Sequence, residues 1–129
     1  MKKFLSIITI VIISISLASC GTKNASNTGT NSKITYTKEL TYFPSYDGMK
    51  SSKYTPPSKK SPFATARYTI KNTSDSKVYQ YYEDALKKDG WTITDEKQHF
   101  AISAKKDTHM ANILIQKSGK DILLIVISK

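Results

Sequence analysis

Apolar and polar residues alternate along the second half of the chain. Ala66, Tyr68 and Ile70 are separated by Arg67 and Thr69, the period of a strand with one buried face. Asn72-Thr73-Ser74-Asp75 then supplies short oxygen-bearing side chains suited to a turn and a helix N-cap. From Ser76 to Asp89 the period changes to that of a helix, with Val78, Tyr81, Tyr82, Ala85 and Leu86 forming a stripe. Glu83 before Lys87 and Asp84 before Lys88 form acid-to-base pairs four residues apart on the other side. Gly90 stands where a left-handed C-cap is wanted, and Trp91 follows as the apolar residue that closes over the last turn.

Four strands joined by short turns are expected after the helix: Trp91 to Thr94, Phe100 to Lys105, Met110 to Lys117 and Asp121 to Ser128. With the strand that starts at Ala64, this gives an α+β domain, an antiparallel sheet of about five strands with one helix on one face, in strand-helix-four-strand meander order. Ile122 to Ile127 is apolar at every position, so both its faces should be covered and it should lie inside the sheet, with the Ala64 strand beside it.

Residues 34–63 read as an irregular arm. Tyr36, Tyr42, Phe43, Tyr46 and Tyr54 are interleaved with Lys38, Lys50, Lys53, Lys59 and Lys60, and Pro44, Pro56, Pro57 and Pro62 interrupt any long element. Aromatics among lysines can stack on sugars or bases while the lysines meet negative charge, which makes Tyr42, Tyr46, Lys50, Lys53, Tyr54, Lys59 and Lys60 a candidate binding surface. The alternative, which we favour, is that the arm lays its aromatics over the sheet face left bare by the helix.

The first residues follow another logic. Lys2 and Lys3 precede Phe4 to Leu17, an apolar run interrupted only by Ser and Thr. The run is shorter than the roughly 20 residues of a membrane-spanning helix but suits a secretory signal. It ends in Leu17-Ala18-Ser19-Cys20, which resembles the lipobox of bacterial lipoproteins. That resemblance implies cleavage between Ser19 and Cys20 and a diacylglyceryl cysteine, with palmitate, at the new N-terminus. Residues 1–19 are then the signal peptide and 20–33 the lipidated cysteine and tether. Gly21 to Lys33 holds only Gly, Thr, Asn, Ser, Lys and one Ala, a composition that forms no core. A single α+β domain follows at 34–129, with its arm at 34–63 and its regular core at 64–129.

Composition changes this picture in two respects. Cys20 is the single cysteine, so an internal disulfide is excluded. The formal net charge of +10 includes Lys2 and Lys3 and falls to +8 without them. At a cell envelope a positive surface meets lipid headgroups or acidic polymers; an extracytoplasmic location on the cell membrane speaks against nucleic acid. Partners are therefore expected to be the membrane, through the lipid on Cys20, and an anionic envelope polymer or another envelope protein.

Phe43-Pro44-Ser45-Tyr46-Asp47-Gly48-Met49, Ala66-Arg67-Tyr68-Thr69 and Val78-x-x-Tyr81-Tyr82-x-x-Ala85-Leu86-x-x-x-Gly90-Trp91 resemble a type of small bacterial secreted or lipoprotein domain with a YP-x-YPG-like opening and a helix ending in L-x-x-x-G-W. Phe43 replaces the usual Tyr, and Asp47 stands where proline is common. The resemblance implies a strand-helix-meander fold and carries no catalytic residues. His99 and His109 fall near opposite ends of one expected hairpin, and neither has a cysteine or acidic cluster with metal-ligand spacing. Phosphate loops, nucleophile elbows and zinc-protease motifs do not occur. The expectation is a lipid-anchored binding or interaction module without cofactor, metal or enzymatic activity; the alternative is a structural accessory or immunity-type subunit working in a complex.

Overall fold

The computed structural model describes residues 33–129; the expected signal peptide, the expected cleavage site at Ser19 and Cys20, and the expected tether before Lys33 lie outside the described residues. Six strands and one helix run in the order β1 (Lys50–Thr55), β2 (Ala64–Ile70), α1 (Asp75–Lys88), β3 (Thr92–Lys97), β4 (Ala101–Lys106), β5 (His109–Ser118) and β6 (Asp121–Ser128). The strands form one antiparallel sheet in the order β1-β2-β6-β5-β4-β3. The last strand therefore sits inside the sheet, paired with β2 from Ala64 opposite Ser128 to Ile70 opposite Ile122. Its other neighbour, β5, joins it through Gly119-Lys120, where Gly119 takes a φ of +63° that glycine adopts without a Cβ penalty.

The expectation of about five strands is corrected to six. The additional strand, β1, lies within residues 34–63, which the sequence presents as irregular. Lys50-Ser51-Ser52-Lys53-Tyr54-Thr55 has no apolar alternation because β1 is an edge strand whose six residues are all exposed. Its extended form comes from pairing with β2, with a bulge between Ser51 and Lys53. Lysines at a sheet edge also discourage pairing with a further strand. The first strand after the helix, expected to end at Thr94, also runs further: β3 continues to Lys97 and the chain reverses at residues 98–100.

Helix α1 begins at Ser74, whose Oγ accepts from the Lys77 N–H at 3.4 Å. It ends in a Schellman turn: the Trp91 N–H bonds the Leu86 carbonyl at 2.9 Å and the Gly90 N–H bonds Lys87 at 3.2 Å, with Gly90 at φ +83°. The buried stripe is Val78, Tyr79, Tyr82, Ala85 and Leu86. Tyr79 thus takes a place that the periodicity gives to Tyr81, which is only partly buried. Of the two expected ion pairs, Lys87 reaches Glu83 at 2.6 Å, whereas Asp84 accepts from Gln80 instead.

The helix packs on the face formed by Ala66, Tyr68, Ile102, Ile113, Ile115, Leu124 and Val126, all essentially inaccessible to solvent. The arm joins it there. Phe43 stacks on Tyr82 at 5.4 Å between ring centres and meets Trp91 edge-on at 6.4 Å, and Leu40 completes the same cluster. Packing is therefore the role of Tyr42, Phe43 and Tyr46, on the helix side of the sheet, while Tyr36 and Tyr54 stay exposed, so the expectation that the arm covers the second face is overturned. The outer face carries Leu123, Ile125 and Ile127 of β6 and Leu114 of β5, each half-buried among its neighbours. Among the described residues no element lies over it. The reason is spatial: residues 35–45 fold into a loop fixed to the helix side by bonds from the Thr37 N–H to Phe43 O at 3.0 Å and from the Ser45 N–H to Thr35 O at 2.8 Å. Residues 33–129 form one unit with its own closed core, and none of their helices is long and apolar enough to cross a membrane.

Candidate functional site

Where the arm passes the start of β1 and the middle of β2 it leaves a cleft of about 420 Å³. Tyr36, Thr37, Lys38 and Glu39 form one wall, Ser45, Met49, Lys50 and Ser51 the other, and Tyr68 lies at the base. The walls are held apart by bonds within the arm: the Thr37 hydroxyl donates to the Leu40 carbonyl at 2.9 Å and accepts from its N–H at 3.0 Å. The outer end of the arm is tied to the helix by the Tyr36 hydroxyl, which donates to Asp89 at 2.7 Å.

Glu39 gives the cleft its charge pattern. Burial alone would raise its carboxyl, but hydrogen bonds from Ser51, its own backbone N–H and Tyr68, with Lys38 nearby, hold it below the ordinary value. The Tyr68 hydroxyl donates to Glu39 at 3.1 Å. Burial foremost, opposed by a hydrogen bond with Thr37 and then reinforced by the Glu39 charge, pushes this phenol well above its ordinary range. At neutral pH the base of the cleft thus holds an ionised carboxylate and a neutral phenol, with the ammonium groups of Lys38 and Lys50 at the walls. Such a set offers a carboxylate and a hydroxyl at the base, with cations above them, to the polar groups of a ligand. It contains no paired acid and base aimed at a common point, which acid–base chemistry would need.

The cleft borders a segment of one sign. From Gly48 to Ser74 there is no aspartate or glutamate, while Lys50, Lys53, Lys59, Lys60, Arg67 and Lys71 all fall within it. This segment builds β1, the connecting turn and β2. Among the seven candidate residues, Lys50, Lys53 and Tyr54 lie on β1, and Lys59 and Lys60 sit in the tight turn bridged by Ser58 and Ser61. All five are exposed, Tyr54 at 40%. Lys50 is the only one of the seven that lines the cleft.

Tyr42 and Tyr46 are placed elsewhere. Tyr42 stacks on His109 with 3.7 Å between ring centres, and its hydroxyl meets Ser128 Oγ at 3.1 Å. Tyr46 packs edge-on against Tyr81 at 4.8 Å, and its hydroxyl lies 3.4 Å from Thr73 Oγ1. Both rings are occupied by the arm's own packing. His99 contacts Tyr79, far along the fold from the His109–Tyr42 stack. Among the described residues no three His, Cys, Asp or Glu side chains converge in a way that could hold a metal ion.

Lys38, Glu39 and Tyr68 were not among the sequence candidates. Tyr68 reads as a core residue by its alternation, which it is, and only its hydroxyl reaches the cleft. Glu39 is the first acid of the described residues, and its position directly after Lys38 was the one available signal. A family model described as START domain-like matches residues 54–121. The match takes in the helix and strands β2 to β5, and it leaves out residues 34–53, with the start of β1, and all of β6 after Asp121. Comparisons with curated proteins and with solved structures return no match.

Proposed function

From the premise that the chain belongs to the START domain-like family, we propose that it is a small ligand-binding-type domain that works by binding rather than catalysis. In this reading it is a bacterial lipoprotein, held on the extracytoplasmic side of the cell membrane by lipid on Cys20. Its ligand is an anionic envelope polymer. The cleft beside Glu39 lies at one end of the binding surface, and Lys38, Lys50, Lys59 and Lys60 face the polymer's repeated negative charges. The observation that carries the reading is the acid-free segment from Gly48 to Ser74, which folds into a hairpin with an exposed edge strand and turn and a cleft at one end. Among the described residues only Lys71 of its cations is paired with an acid, Asp121, and a surface of one sign raises the local concentration of anions.

The test is a salt titration of binding between residues 33–129 and an anionic polymer such as inorganic polyphosphate. Affinity should fall steeply as salt rises, because exposed charges are screened over about 8–10 Å at 0.1–0.15 M. Lys38→Glu with Lys50→Glu should weaken binding at least about tenfold, since each reversal replaces an attraction with a repulsion. Absence of binding at low salt contradicts the reading. A second reading, a subunit that works within a complex, is favoured by the uncovered apolar residues of the outer face. A stable heteromeric assembly recovered from the membrane after cross-linking at that face supports it.

A further inference from the structure

The outer face of the sheet has a second feature besides its uncovered apolar residues. Leu123, Ile125 and Ile127 run along β6, Leu114 stands opposite Ile125 on β5, and Ala101 opposite Leu114 on β4. Met110, 48% exposed, adds to the strip at its end. On both sides of the strip the same face carries cations. Lys53 of β1 pairs with Arg67 of β2, which pairs with Ile125. On the far side are Lys105 of β4 and Lys97 of β3, the latter opposite Ala101. All four are exposed, and none takes part in a salt bridge among the described residues.

Acids are nearly absent from this face. Asp121 shares it, at the end of β6, but is neutralised by Lys71 at 2.9 Å and held by the Asn72 N–H at 3.0 Å. That leaves Asp95. The remaining acids lie on the helix, in the arm, in the turn at Asp107, or, like Glu96, point to the helix side, where it accepts from Tyr79 at 2.7 Å.

An apolar strip between two lines of cations that no acid of the described residues neutralises, one of them, Lys97, lying over the Phe100 ring at 5.1 Å, matches a surface that is apolar below and anionic above. We propose that the outer face of the sheet docks on the surface of an anionic lipid bilayer, with Leu123, Ile125 and Ile127 entering the boundary between headgroups and acyl chains. Lys53, Arg67, Lys97 and Lys105 then meet lipid phosphates. Second copies of this chain are a poor fit, because self-pairing would bring eight cations to one interface with two free acids. The polar spacer Gly21 to Lys33 is a poor fit too, because Ala25 is its one apolar side chain and cannot cover a strip of four. The proposal goes beyond the polymer reading: the two share the cations of β1 and β2, but only this one needs the β6 strip with Lys97 and Lys105, and only the polymer reading needs Lys38, Lys59 and Lys60, so either can fail alone.

The test uses residues 33–129, which have a closed core of their own, so neither the apolar signal nor a lipid contributes. Cosedimentation is measured with vesicles of equal parts phosphatidylglycerol and phosphatidylcholine and with vesicles of phosphatidylcholine alone. Binding to the first and not the second is expected, falling as salt rises from about 0.05 M to about 0.5 M. Reversal of Arg67 or Lys105 to Glu should each lower partitioning at least roughly fivefold, the worth of one cation near an anionic surface. Leu123→Thr, Ile125→Thr and Ile127→Thr together should abolish it while leaving polyphosphate affinity unchanged. In case the triple variant does not fold, Ile125→Cys carrying a nitroxide reports its surroundings directly. Protection from aqueous quenchers and exposure to lipid-soluble ones on vesicle addition is the expected result. The proposal is overturned by equal binding to both vesicle types, by a nitroxide that stays in water, by loss of binding only on Lys59→Glu with Lys60→Glu, or by a dimer formed through Ile125 in the absence of lipid.

Discussion

Trp91 joins three parts of the domain: it closes the end of the helix, its ring meets Phe43 of the arm edge-on, and its Nε1–H donates to Asp89 at 3.1 Å. It is 4% exposed. Trp91→Ala should cost about 3–5 kcal/mol in urea denaturation, the range for removing a large buried aromatic; a cost below about 1 kcal/mol would contradict its place in the core. Asp89 beside it is a point of pH sensitivity. Burial would raise its carboxyl, but bonds from Tyr36, Lys106 and Trp91 hold it below the ordinary 3.8. A carboxylate depressed in the folded state contributes stability above its unfolded value and loses that contribution as pH falls through the folded one. Asp89→Asn should therefore flatten the loss of stability on acidification below about pH 4, measured as denaturation midpoint against pH. An unchanged acid limb would contradict this. Trp91 was legible from its place after Gly90. Asp89 was not, because its partners Tyr36 and Lys106 are 53 and 17 positions away and no local pattern connects them.

At the scale of elements, the helix and the four strands after it follow from periods of 3.6 and 2 that persist for several residues, and the sheet order follows from the unbroken apolar run of β6. The Schellman turn was readable down to its glycine. Because the nearest atom to a Cβ on Gly90 would be Lys106 Cε at 4.0 Å, Gly90→Ala should cost about 1–2 kcal/mol through backbone conformation rather than collision, and Gly90→Asn less. Equal stability of all three in thermal melts would contradict the left-handed cap. Two elements escaped the pattern. Strand β1 has no buried position to betray it, and the arm's side of the sheet depends on bonds between Thr35 and Ser45 rather than on composition. Tyr79 and Tyr81 show the limit of a helical stripe: both border it, and Glu96 takes the Tyr79 hydroxyl while the Ser45 carbonyl takes that of Tyr81 at 2.6 Å.

For the whole molecule, the uneven feature of the charge is the stretch from Gly48 to Ser74, which carries six cations and no acid, while helix α1 balances Asp75, Glu83 and Asp84 with Lys77, Lys87 and Lys88. The cleft at Glu39 and Tyr68 was invisible in sequence because its residues come from three separate segments, whereas the acid-free run that borders it is plain in the sequence itself. The lipobox reading is tested by Cys20→Ser, which should move the protein from the membrane fraction to the medium or leave it unprocessed, with loss of radiolabelled palmitate; continued palmitate incorporation would contradict it. The claim that the hairpin and its cleft are where the protein binds is tested most directly by amide chemical-shift mapping of residues 33–129 during titration with inorganic polyphosphate. The account predicts shifts at Lys38, Glu39, Lys50 to Tyr54 and Ser58 to Ser61, diminishing as salt is raised. Shifts confined to the exposed side of the helix, or none at low salt, would contradict it.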